Sequence, residues 1–131
     1  MPIKGISYDN CMAELSNGDV MLLGGYPNDA RKAAFILHMA NMTWTQKASM
    51  RLGRQELACG TVRNLQTGKE EVVAVGGGDL SSEIYSVEDD SWRDGPMLPG
   101  PVRSWQNPGW DEYSFLVNQN KKIYKVYQTL L

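Results

Sequence analysis

The sequence predicts an all-β chain in which one short-stranded unit recurs, and three observations carry that expectation. Cys11 and Cys59 stand 48 residues apart, and so do Trp44 and Trp92. Between each such pair lies an apolar run closed by glycines, DVMLLGGY at 19–26 and EVVAVGGG at 71–78. A fixed period of this size marks a repeat architecture, in which each unit buries its apolar face against the next.

Each unit divides into four segments. NCMAEL (10–15) and LACGTVRN (57–64) supply the first strands. VMLLGG and VVAVGG are continuous apolar runs, too short for a typical helix and stopped by glycine pairs, as second strands buried on both faces should be. KAAFILHMANM (32–42) and SEIYSVEDD (82–90) are the third strands. The first of these is rich in alanine, which favours helix. Its counterpart alternates as a strand does, so both are read as strands. TWTQK and SWRDG are the fourth.

The glycines are spaced more widely than the other landmarks, 53 residues from Gly24 to Gly77. NLQTGKE (64–70) holds the extra residues as a longer first connection. The next connection shortens to match, since Gly24 precedes Trp44 by 20 residues and Gly77 precedes Trp92 by only 15. After Trp92 the pattern begins again, with YSFLV (113–117) as a second strand and KKIYKVYQT (121–129) as a third. Tyr124 takes the place of Tyr85, and the fourth strand of this unit is expected to be missing. The units span about 8–48, 56–96 and, incomplete, 104–131, all within one domain.

A period near 50, a diglycine ending the second strand, an aromatic in the third and a tryptophan in the fourth together resemble the kelch repeat. The residues that carry the resemblance are Gly24, Gly25 and Trp44, then Gly76, Gly77, Tyr85 and Trp92, with Arg54 and Arg103 in the connectors. Leu37 stands at the aromatic position of the first unit, and Val117-Asn118 where a third glycine pair belongs. The resemblance implies an incomplete kelch-type β-propeller of about two and a half blades, each of four antiparallel strands with the first nearest the axis. It also implies that Cys11 and Cys59 occupy equivalent inner strands, where small apolar side chains fit. They are read as reduced and buried, since a disulfide needs their Cα atoms within about 7 Å. On that reading the protein is placed in the cytoplasm. Propellers close with roughly four to eight blades. The chain is therefore expected to be a fragment of a longer protein, to complete a ring by self-association through its terminal blades, or to stand as an open array.

Composition narrows the function classes. Of 131 residues 42% are hydrophobic and 21% charged, ordinary values for a globular chain. The net charge is −2 with both signs interspersed. No basic stripe offers itself to a phosphate backbone, so nucleic acid is not an expected partner. No apolar run is long enough to cross a bilayer, and the first residues show no apolar core followed by a cleavage site.

His38 is the single histidine and is read as a surface or core residue. No HxxxH, CxxC or serine-elbow motif is present. GGGD (76–79) lacks the order of a phosphate or dinucleotide loop and is read as a strand-ending turn. EDDSWRD (88–94) is read as a solvated turn begun by Asp90 or Ser91. Trp105 and Trp110 are expected to pack the start of the third unit. Kelch propellers include copper radical oxidases, which need two histidines and a crosslinked Tyr–Cys pair, a set that one histidine cannot fill. No catalytic residue, cofactor or metal is expected, and the chain is read as a non-enzyme.

The resemblance implies a protein-interaction scaffold, such as the substrate adaptor of a ubiquitin ligase. The other reading is a remnant or subunit of a propeller enzyme, an oxidase or glycan-processing protein, whose active site lies outside this chain. Second-to-third and fourth-to-first connections emerge on one face. The binding candidates there are Asp29, Arg31, Arg54, Asp79, Ser81, Ser82 and Arg103. Arginines and short polar side chains grip an acidic or extended peptide through charge-assisted hydrogen bonds. The competing role for Arg54 and Arg103 is to tie units together through backbone carbonyls.

Overall fold

The computed structural model describes residues 10–26, 31–64, 66–77, 79–97, 109–110, 114–119 and 122–128, the last three stretches as backbone. Every helix or strand among them is a strand. Strands β1 (Cys11–Glu14), β2 (Val20–Leu23), β3 (Ala34–His38) and β4 (Thr43–Gln46) pair in that order as one antiparallel sheet. Strands β5 (Ala58–Arg63), β6 (Glu70–Val75), β7 (Ser82–Ser86) and β8 (Ser91–Asp94) repeat the arrangement in a second. A third sheet holds β9 (Gly109–Trp110), β10 (Ser114–Gln119) and β11 (Lys122–Gln128) in the order β11-β10-β9. Its β9 and β10 lie beside β5.

The alanine-rich segment is therefore a strand. Ala34, Phe35 and Ile36 are all buried and ladder onto Leu23, Leu22 and Met21. Tertiary pairing outweighs a helix preference of a few tenths of a kcal/mol per residue. The extra residues near 64–70 mostly do something other than lengthen a loop. β5 and β6 have six residues each against four in β1 and β2, so the insertion extends the hairpin itself. In the third sheet, Val117 and Asn118 do not mark the end of a strand. They sit inside β10, opposite Tyr124 and Ile123.

The core lies between the first two sheets. Ala13, Met21, Leu23, Ala34 and Ile36 from the first meet Cys59, Val72, Ala74 and Tyr85 from the second. The other face of the second sheet, with Ala58, Val73, Val75 and Ile84, is buried as well. That double burial explains why β6 reads as an unbroken apolar run. Trp92 packs against Tyr85 at a centroid distance of 5.0 Å, and its Nε1–H donates to Ala48 O at 2.8 Å, so the indole bridges from the second sheet to the connector leaving the first. In the first sheet Phe35 substitutes for the missing aromatic, meeting Trp44 edge-on at 6.4 Å.

The two cysteines are joined, which corrects the reading of them as free thiols. Cys11 and Cys59 form a disulfide with Cα atoms 6.1 Å apart. The pairing register supplies the reason. Cys11 lies opposite Leu23, the last strand residue before the first glycine pair, whereas its counterpart opposite Val75 is Ala58. Cys59 is thus one residue out of step with Cys11. A one-residue step turns a side chain to the opposite face. When sheets stack front to back, that step is what lets the two sulfurs face each other.

Candidate interaction face

The β2–β3, β4–β5 and β6–β7 connections gather at one end of the stacked sheets, and backbone fit explains how. The β4–β5 connector runs between the two glycine pairs. Gly25 N–H donates to Arg54 O at 2.8 Å, and Gln55 N–H donates to Gly77 O at 3.0 Å. Gly24 and Gly77 both have left-handed backbone, with φ of +64° and +74°. A Cβ at Gly24 would lie 2.3 Å from Arg54 O, and one at Gly77 would lie 2.4 Å from Gln55 O. Only glycine meets both demands.

Arg54 is the centre of this end, and it is wholly buried. Its Nε donates to Glu83 Oε2 at 3.1 Å, and its terminal nitrogens donate to Gly76 O, Ser81 O and Ser81 Oγ at 2.8–2.9 Å. Glu83, also buried, accepts in turn from the backbone N–H groups of Arg51 and Leu52 at 2.6 and 3.2 Å. A buried ion pair survives only when its hydrogen-bonding capacity is filled in this way. Arg54 therefore does not present itself to a ligand, which corrects its place among the binding candidates. Ser82 is likewise withdrawn, since it is buried and its hydroxyl donates to Pro96 O at 2.6 Å. Ser81 is half-buried and serves Arg54 through both oxygens.

What remains outward is narrower than the sequence suggested. Asp79 is exposed, and its carboxylate accepts from the Ser81 N–H at 2.6 Å. Hydrogen bonds from Ser81, with the Arg54 charge behind them, hold its pKa below the ordinary 3.8. Leu80, the next residue, exposes apolar surface, as does Tyr26 in the β2–β3 connection. Arg31 is half-buried, gives its backbone O to Arg54 N at 2.8 Å, and has a buried Nε with no hydrogen-bond partner among the described residues. Asp29 and Arg103 lie outside the described residues. Leu80 and Tyr26 were missed because a single exposed apolar residue beside a glycine turn has no periodic signal.

A second concavity, a cleft of about 450 Å³, opens between the first strands at the opposite end. Glu14, Arg63 and Glu70 line it. Thr61 Oγ1 donates to Glu14 O and Ser16 N–H donates to Glu70 Oε2, both at 2.7 Å, so its polar walls also stitch the sheets together. Among the described residues no group of three or more His, Cys, Asp or Glu side chains is placed to hold a metal ion.

Glycine-pinned sheets stacked on a buried arginine define an all-β scaffold of repeated units. Among solved structures, the chain is similar in fold to a fungal alcohol oxidase of the AA5 family solved in complex with copper. The TM-score is 0.62 at 13% identity, over 96% of this chain and 30% of that one. The chain thus spans less than a third of that oxidase. No protein-family model and no curated protein matches the sequence.

Proposed function

We propose that this chain is a stretch of kelch-type β-propeller that acts as a protein-binding scaffold, its loops at the Arg54 end meeting the partner. The observation that carries the reading is the buried Arg54–Glu83 clamp, which fixes three connections at one end. Rigid support beneath exposed loops is how repeat scaffolds lower the entropy cost of binding. Asp79, Leu80, Tyr26 and Arg31 offer one carboxylate, apolar surface and one guanidinium, which suits an extended peptide carrying both a basic and an acidic group. A photo-crosslinking side chain at position 80 tests this. Specific protein adducts that Asp79→Arg suppresses are expected. Equal capture from a crosslinker at Met42, an exposed residue in the β3–β4 turn at the opposite end of the sheet, would refute the assignment.

The likeness to a copper-bound oxidase favours a second reading, a portion of a propeller enzyme completed by other chain. The full-length transcript separates the two: further histidines and tyrosines beyond these residues support the enzyme reading, and an adaptor region supports the scaffold. The cytoplasmic assignment rested on free thiols, and the disulfide favours an oxidising compartment instead. Self-association through the outer sheets remains part of the scaffold reading, checked by light scattering across concentration.

A further inference from the structure

His38 lies at the end of the first sheet away from the Arg54 clamp, between Asp19 in the turn before β2 and Thr45 on β4. Its Nδ1 is 3.0 Å from Asp19 Oδ2, and its Nε2 is 2.6 Å from Thr45 Oγ1. Asp19 is held by its own contacts: Oδ1 accepts from Met39 N–H at 3.1 Å, and Asn17 Nδ2 donates to Oδ2 at 3.3 Å. A carboxylate only accepts, so Nδ1 carries a proton. In the neutral ring Nε2 is then the acceptor for the Thr45 hydroxyl. Hydroxyl, imidazole and acid thus stand in the order of a nucleophile, its base and the group that orients the base.

The surroundings suit that chemistry. Thr45 is exposed, and the His38 side chain keeps 38% of its surface open while Asp19 keeps 17%. The hydroxyl is reachable and the carboxylate is sheltered. Thr45 sits on β4, the outer edge of its sheet. Lys47 N–H points inward to Ala34 O at 2.9 Å. Alternation along an antiparallel edge therefore turns the N–H of Gln46, the residue after Thr45, outward. A backbone N–H in that place can receive the oxygen of an attacked carbonyl.

We propose that Thr45, His38 and Asp19 form a nucleophilic relay, a site for acyl transfer from small activated carboxylic esters to the Thr45 hydroxyl. Thr45 Oγ1 bonds to the ester carbonyl carbon as its proton passes to His38 Nε2. The bond from that carbon to the aryl oxygen breaks, and the departing oxygen takes the proton from His38. One acyl group is gained by Thr45 and one aryl alcohol is released. Asp19 is the positioning residue, fixing the ring tautomer.

The test is incubation of the whole chain with p-nitrophenyl acetate, followed by nitrophenol release and peptide mass mapping. An acetyl group on Thr45 is expected, formed at least tenfold faster than in His38→Gln, and absent in Thr45→Val. Thr45→Ser, a less hindered alcohol, should react as fast or faster. Asp19→Asn should slow the reaction and Asp19→Glu restore part of it. Lysine acetylation serves as an internal measure of background and should be the same in every variant. Equal Thr45 acetylation in the parent and His38→Gln would overturn the proposal, as would its absence from both the parent and Thr45→Ser.

Discussion

Apart from the chain itself, the disulfide is the only covalent link between the first two sheets among the described residues, and its contribution can be worked out. It closes a loop with a sequence separation of 48 residues. In the chain-entropy description, that closure removes roughly 13–14 cal/mol/K from the unfolded ensemble, or about 4 kcal/mol at 25 °C. For a domain of this size each kcal/mol moves the thermal midpoint by roughly 3–5 °C, so reduction should lower it by about 12–20 °C. Two perturbations separate the cross-link from packing. Reduced parent protein keeps both sulfur atoms in place, while Cys11→Ala/Cys59→Ala also removes the buried Cys59 sulfur, adding roughly 1 kcal/mol. Urea unfolding of oxidised parent, reduced parent and double variant should rank stability in that order. A reduced parent within about 3 °C of the oxidised protein would refute the reasoning. It would mean that the unfolded chain is already held compact, or that Trp92, Thr61 and Arg54 carry the interface alone.

Three further outcomes follow from the same contacts. Glu83→Gln leaves the buried Arg54 charge without its counter-ion and should cost about 3–5 kcal/mol in denaturant unfolding; a loss under about 1 kcal/mol would show that the backbone acceptors suffice. Gly77→Ala should destabilise markedly more than Gly18→Ala, because both have positive φ but only the first drives a Cβ into a carbonyl oxygen, the space around Gly18 being open; equal losses by calorimetry would sink the close-approach argument. Asp90 accepts from the Tyr85 hydroxyl at 2.5 Å and from Ala48 N–H at 2.9 Å, which holds its pKa below the ordinary 3.8. A depressed carboxylate contributes stability above its unfolded value and loses it as pH falls through the folded one. Stability should therefore decline below about pH 4, and an Asp90→Asn variant, measured by urea unfolding, should show a flatter acid limb.

Much of this fold was legible because spacing carries it. The tryptophans at the 48-residue interval occupy matched positions, Trp44 opposite Leu37 and Trp92 opposite Tyr85. The glycine pairs do end the second strands, and the strand character of Ala34–His38 followed from its partner rather than from its own composition. The cysteines share the same interval, yet are not matched, since Cys11 pairs opposite Leu23 while Ala58, not Cys59, pairs opposite the equivalent Val75. Interval alone cannot distinguish the front of a strand from its back. For Arg54 the competing role read from the sequence, a tie through backbone carbonyls, is the one found, in its bonds to Gly76 O and Ser81 O, whereas its pairing with Glu83, distant in sequence, had no signal. The Asp19–His38–Thr45 contact had no signal at all. Its members come from a turn and two strands, and the β2–β3 and β3–β4 pairings together unite them.

The Arg54 clamp has a bearing on how the chain assembles. The guanidinium lies in the connector before β5, whereas its acceptors at Gly76, Ser81 and Glu83 arrive after two further strands. Until then the arginine must stay hydrated, because enclosing it alone would cost several kcal/mol. The second sheet therefore cannot close over its own leading connector until its third strand is in place. During synthesis, enclosure of the Arg54 end is expected to wait for β7.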